Sequence, residues 1–301
     1  MVGIFNPCAN TPIAAITDFD VFGSRKLNPT MSGGLEWAST SWNGTPARFL
    51  TEGDRDTYDP RVIIRYGTPD DVLQILGNGE AQVATYTTSA RIFVDGPWTN
   101  TEMTIYLFKT NDLKLDQVTM RARSNHEEAC SFGGYVAQFR DTTAAEASPP
   151  PEKKSAIEVE VLHPHYRRDL DPEAFTGGLP QSAWIGLKQV TQTSLSTGYV
   201  TVKGYVNYNI ANQAVNDWAL TSQYTINGTN LSPDAGWKDE DEASLATCPI
   251  GTGDGTAAKM RAEDLSMFLY TNSGLYNWIR LDGPSNCKVK WFTIRELNPL
   301  P

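Results

Sequence analysis

The sequence lacks an excess of positive charge, a long apolar run and any closely spaced cysteine pair, and each absence removes a class of function. Lysine and arginine number 25 against 35 aspartate and glutamate, a formal charge of -10, so the summed field repels nucleic acid and anionic membrane surfaces. No stretch reaches the roughly 18 apolar residues that a membrane-spanning helix needs. A soluble protein is expected, with neither membrane nor nucleic acid as partner. The four cysteines (Cys8, Cys130, Cys248, Cys287) follow none of the spacings that zinc sites use, and their even number reads as two disulfides. No glycine-rich phosphate loop, Gly-x-Ser-x-Gly elbow or paired Cys/His nucleophile arrangement occurs, which speaks against nucleotide and serine-hydrolase chemistry.

What the chain has instead is a succession of short alternating stretches bounded by Gly, Pro, Asn and Asp, with almost no helical periodicity. Strands are expected at Arg61–Tyr66, Ala90–Val94, Glu102–Phe108, Gln117–Arg123, Ala156–His163, Trp184–Val190, Tyr199–Asn207, Ser266–Tyr270 and Lys288–Arg295. That pattern predicts an all-β, two-sheet antiparallel jelly-roll sandwich, and a sandwich of this kind can hold 301 residues as one domain. The domain is expected to span residues 1–301, with long loops near 141–155, where Pro149-Pro-Pro151 breaks any strand, and near 232–258. The second loop carries the acidic run Asp239-Glu-Asp-Glu242, which reads as solvated surface because it lacks the EF-hand spacing. No cofactor is expected; calcium, if held, would be structural.

The opening Met1-Val-Gly-Ile-Phe-Asn-Pro-Cys8 has neither a basic nor an apolar segment of the kind a signal peptide needs, and Met1 is read as standing where one was removed. Asn43-Gly-Thr45, Asn227-Gly-Thr229 and Asn230-Leu-Ser232 match the glycosylation sequon. With the disulfides, they point to a secreted, extracellular glycoprotein.

Met267-Phe-Leu-Tyr-Thr-Asn272 and Lys290-Trp-Phe-Thr-Ile-Arg-Glu-Leu297 resemble the closing strands of concanavalin A-like (laminin-G-like) jelly rolls. Arg55-Asp-Thr-Tyr-Asp-Pro60, Trp98–Tyr106, Arg121-Ala-Arg-Ser-Asn-His126 and Trp184-Ile-Gly-Leu-Lys188 resemble secreted proteins of that fold, so the likeness runs from about residue 35 to 297. The chain is also loosely similar to jelly-roll polysaccharide lyases of the alginate-lyase type. Those carry Arg-x-Glu-Leu-Arg, Gln-Ile-His and Tyr-x-Lys-x-Gly-x-Tyr-x-Gln strands in that order. Arg121-Ala-Arg123, Val161-Leu-His163 and Tyr199-Val-Thr-Val-Lys-Gly-Tyr-Val-Asn207 occur here in the same order, without the acidic member of the first or the Gln of the second. The resemblance implies a polysaccharide, and more narrowly a polyuronate, as partner.

Side chains alternate faces along a strand, so Tyr199, Thr201, Lys203, Tyr205 and Asn207 share one polar face, and Arg121 and Arg123 another. Set side by side, the two faces would line a polar, basic and aromatic groove. All three histidines, His126, His163 and His165, fall beside the strands that carry the arginines and glutamates. An eliminating lyase needs a cation to neutralise the uronate carboxyl, a base near neutral pKa and an acid for the leaving oxygen. Arg121 or Arg123 would neutralise, His163 or His126 would be the base, and Tyr205, Tyr199 or Tyr166 the acid. Arg123, Glu160, His165, Tyr166, Lys188, Tyr199 and Lys203 are candidates for substrate binding. In a plainer reading, Arg121 and Arg123 pair with Glu158 and Glu160 as a structural ladder across strands.

Three further readings stay open. Glu158 and Glu160, about 6.5 to 7 Å apart along a strand, could act as a glycosidase pair. His163-Pro-His165 with His126 could suit zinc or copper, although short His pairs arise by chance and no metal is expected. A non-catalytic glycan-binding or structural surface protein would instead use Trp37, Trp42, Trp98 or tyrosines to stack on sugar rings.

Overall fold

Strands that alternate apolar and polar residues bury one face and leave the other for water or for covering segments, and two such sheets stack to seal the apolar faces together. A computed structural model of the chain describes residues 19–66, 72–85, 89–110, 117–124, 134–141, 153–160, 166–209, 217–227, 274–283 and 285–301. The described strands form two antiparallel sheets, a jelly-roll sandwich as the sequence predicts.

The nine-stranded sheet runs in the order β14 (Ala219–Ile226), β13 (Val200–Asn207), β12 (Trp184–Thr193), β7 (Thr101–Lys109), β16 (Ser285–Glu296), β5 (Glu80–Thr85), β4 (Val72–Ile75) and β2 (Arg48–Leu50), with β1 (Glu36–Ala38) also paired to β16. The seven-stranded sheet runs β11 (Tyr166–Ala174), β10 (Lys153–Glu160), β9 (Gly134–Asp141), β8 (Gln117–Ser124), β15 (Gly274–Asp282), β6 (Ser89–Trp98) and β3 (Val62–Tyr66). A short 3-10 helix, Ser39–Trp42, follows β1 and sinks Trp42 into the core.

Between the sheets, Met103, Ile105, Leu107, Ile185, Leu187, Val202 and Ile294 meet Met120, Val118, Ile157, Val159, Ile279 and Leu281 in one continuous apolar cluster. Cys287 belongs to it, whereas Cys8, Cys130 and Cys248 lie outside the described residues. The segment from Phe19 to Met31 crosses the outer face of the nine-stranded sheet. Its Leu27 and Asn28 amides donate to the Glu102 carboxylate at 3.1 and 3.2 Å, and the Tyr106 hydroxyl reaches Ser24 Oγ at 3.2 Å.

Two details differ from the sequence reading. β9 continues to Asp141 and β10 begins at Lys153, so the described ends of the expected 141–155 loop are strand. β11, which contains Pro172, is not among the strands that the alternation predicts. It lies at the edge of its sheet among the described strands, and its ladder with β10 shifts register between Ile157 and Ser155, so the missing amide of Pro172 is tolerated. The expected strand Ser266–Tyr270 and the whole of the 232–258 loop fall outside the described residues.

Candidate functional site

Arg121 and Tyr205 stand on different sheets, β8 in one and β13 in the other. Val202 and Val206 of β13 and Val118 and Met120 of β8 fill the core. Tyr205 and Arg121 therefore project from opposite outer faces of the sandwich. The expectation that their two polar faces lie side by side in one groove is corrected. Strand pairing is a long-range property that the local alternation does not reveal.

On the outer face of the seven-stranded sheet, Arg121 reaches across β9 to both glutamates of β10. Its Nη2 lies 3.4 Å from Glu158 Oε1, and its Nη1 contacts Glu160 Oε2. The Gln138 amide donates to Glu158, and the Arg121 guanidinium sits 4.7 Å over the Trp278 ring. Arg121, Glu158 and Glu160 are 5%, 1% and 1% exposed, so a bulk sugar chain does not reach them. Burial lowers the Arg121 pKa to about 10, against the pull of Glu158 in the other direction. This is the cross-strand ladder of the plainer reading, spanning three strands rather than two.

Arg123 takes no part in it. Its φ of 53° is a left-handed conformation that a non-glycine residue rarely adopts, and it breaks the alternation of β8. The guanidinium turns inward between the sheets, where Nη2 donates to Asn100 Oδ1 at 3.0 Å and Thr193 Oγ1 at 2.8 Å and Nε donates to the Thr99 carbonyl. The expected shared face for Arg121 and Arg123 is corrected accordingly.

Lys188 lies on the outer face of the nine-stranded sheet but is sealed beneath the Phe19–Met31 segment. Its ammonium is 2.6 Å from Glu102 Oε1, and Glu102 Oε2 is 2.7 Å from Arg295 Nη2. Burial pushes the Glu102 carboxyl up, but the charges of Lys188 and Arg295 outweigh it and hold the group at about 2. Beside it, Tyr205 is pushed up to about 12, first by burial and then by the Glu102 charge. Lys203 occupies the next outward row of β13, opposite Val190, and Tyr199 precedes the strand and is partly exposed. His126, His163 and His165 lie outside the described residues, as does the side chain of Tyr166. Among the described residues, no group of three His, Cys, Asp or Glu is placed to hold a metal ion.

The strongest feature of this outer face is a strip of aromatic rings interleaved with ammonium groups. The cross-strand row Trp184, Phe108, Lys288 lies next to the row Gly186, Tyr106, Lys290. Lys290 Nζ sits 4.0 Å from the ring centres of both Trp184 and Trp291. Phe108 abuts Trp184 at 5.4 Å, Tyr106 meets Trp291 edge-on at 5.0 Å, and Trp218 continues the strip at 6.1 Å from Tyr106. Lys188 lies under Trp218 at 4.6 Å. Phe108, Trp184, Trp218, Lys290 and Trp291 all remain partly exposed. Burial lowers the Lys290 pKa from its ordinary value, with the Glu80 charge acting the other way.

Local backbone geometry builds the strip. Trp291 has φ 52°, and the register with β7 shifts between Lys290 and Thr293, so a bulge puts Lys290 and Trp291 on the same side of the sheet while Phe292 enters the core. Gly186 leaves room for Trp218. A Cβ there would come within 2.8 Å of the Trp218 ring and 3.1 Å of Tyr106. The tryptophans named from the sequence are not stacking platforms: Trp37, Trp42 and Trp98 are 2%, 0% and 1% exposed and belong to the core. Trp184, Trp218 and Trp291 were passed over, although Trp184 and Trp291 each stand near a lysine in sequence.

No protein-family model matches the chain, and no curated protein sequence does. Among solved structures, it is similar to the exoplasmic/lumenal domain of VIP36, described as bound to calcium and Man3GlcNAc (TM-score 0.45, 11% identity, 81% of this chain and 87% of that one). It is similar also to lectin II from Ulex europaeus (0.41, 8%, 83% and 97%) and to the carbohydrate-binding module CBM66 from Bacillus subtilis (0.39, 9%, 72% and 86%). At TM-scores below 0.5, these likenesses add nothing to what the strand order itself shows. The likeness to alginate-lyase-type enzymes suggested by the three strand motifs finds no support among them.

Proposed function

We propose that this chain is a non-catalytic glycan-binding protein that holds sugar rings against the aromatic strip on the outer face of its nine-stranded sheet. The observation that carries the reading is the pair of partly exposed indoles, Trp184 and Trp291, set around one ammonium. Aromatic rings offer flat apolar faces to the C–H faces of pyranoses at low conformational cost, and an ammonium among them supplies a charge partner. The ligand is an acidic glycan, with a uronate carboxylate paired to Lys290. The working environment is extracellular, in keeping with the exposed Asn43 of the Asn43-Gly-Thr45 sequon.

The reading of the chain as a uronate lyase is the competitor. It needs a neutralising cation, a base and an acid around one sugar, whereas Arg121 and Tyr205 lie on opposite faces and Arg121 is held by two glutamates. One experiment separates the two. The protein is mixed with alginate, glucuronan, pectate and ulvan; polymer retention is measured by affinity electrophoresis, and the absorbance of an unsaturated uronate is followed in the same samples. Retention without new absorbance is expected. A rise in absorbance with any polymer would replace binding with elimination.

A further inference from the structure

Where β13 ends and β14 begins, the chain leaves the aromatic strip and enters a second concavity. Trp218 belongs to the strip, and its neighbour Ala219 lines a groove of about 410 Å³. The groove lies between β14 and the end of β11, the outermost of the described strands in the two sheets. Its floor is Phe175 and Val206, its wall the half-exposed ring of Tyr208, and its polar residues are Thr176, Thr221, Ser222, Gln223 and Glu173, with the Thr221 hydroxyl already donating to the Gly204 carbonyl at 3.1 Å. Glu173 is the one charged side chain among the described residues that line it.

The Tyr208 ring is held in place. Its hydroxyl donates to the Gly178 carbonyl at 3.2 Å, and its centre is 6.2 Å from that of Phe175. It lies directly over Gly177, where an added Cβ would stand 2.2 Å from Cζ. A fixed ring beside hydroxyl, amide and carboxylate groups is the chemistry that recognises a sugar, through stacking on one face and hydrogen bonds to its hydroxyls. A uronate would meet the Glu173 charge here with no cation among the described lining residues to offset it, whereas on the strip it meets Lys290.

We infer that this groove is a second sugar site that takes a neutral unit of the same glycan whose acidic unit rests on the strip. The ligand class is then a mixed polysaccharide containing both uronate and neutral residues. The inference rests on the strip being a glycan site, and the test keeps the two apart.

The full chain is screened on an array of all-neutral, all-acidic and mixed glycans, and the tightest ligand is titrated against wild type, Trp184→Ala, Tyr208→Ala, Tyr208→Phe and Gly177→Ala. The expected set of ligands is mixed glycans. Tyr208→Ala should lose about tenfold in affinity, the size of one stacked ring. Gly177→Ala should follow it because the ring is displaced, and Tyr208→Phe should lose less than Tyr208→Ala, because the ring stays while its hydrogen bond to Gly178 is gone. A tightest ligand that is wholly acidic or wholly neutral would overturn the inference. So would a loss on Trp184→Ala with none on Tyr208→Ala, which would leave the strip reading standing. Retention of no glycan would overturn both.

Discussion

The Lys188 ammonium lies 2.6 Å from Glu102 Oε1, with both side chains 1% exposed. Two cations, Lys188 and Arg295, converge on that one carboxylate, and the amides of Leu27 and Asn28 complete its shell. Its folded-state pKa of about 2 is below the ordinary 4.5, so the carboxylate stabilises the fold fully above the unfolded value. That contribution, about 3 kcal/mol, is lost as pH falls from about 5 towards 2. Urea unfolding between pH 7 and pH 2.5 should show the decline. Glu102→Gln should be less stable at pH 7, with a flatter acid limb; an unchanged acid limb would contradict the assignment.

Removing Arg121 takes away the guanidinium that bridges the buried Glu158 and Glu160. Arg121→Ala should cost about 3 to 5 kcal/mol in urea unfolding. The triple replacement Arg121→Met, Glu158→Gln and Glu160→Gln should recover a large part of the loss, because it removes the buried charges together. If the single variant is as stable as wild type, the ladder has no structural role.

Gly186→Ala should act on the strip without replacing any of its rings. The new Cβ would stand 2.8 Å from Trp218 and 3.1 Å from Tyr106. Trp218 would have to move, and stability should fall by about 1 to 3 kcal/mol, as for other overpacked sites. Tryptophan fluorescence of the variant should shift with it. An unaltered spectrum would mean that Trp218 is not packed over Gly186.

Much of this architecture was legible in the alternation of single strands. In β10, Ile157 and Val159 turn inward and Glu158 and Glu160 outward, and in β13 the valines turn inward from Lys203 and Tyr205. The alternation fails where a non-glycine residue takes a left-handed conformation. Arg123 at φ 53° swings into the core side of β8, and Trp291 at φ 52° stays outside with Lys290. Neither is signalled by residue type, since no glycine marks the spot. Sheet membership was not legible either, because it depends on which distant strands pair. That set Arg121 and Tyr205 on opposite faces and hid Lys188 under a segment some 160 residues earlier, at Arg25.

The rings around Lys290 are proposed to hold a glycan without cleaving it. The direct test is titration calorimetry of the most strongly retained uronate polymer against wild type, Trp184→Ala and Trp291→Ala, with unsaturated-uronate absorbance followed throughout. Wild type should bind without new absorbance, and each tryptophan variant should lose about tenfold or more in affinity while unfolding as a single transition. Equal affinity in all three proteins, or absorbance that rises with time, would contradict the account.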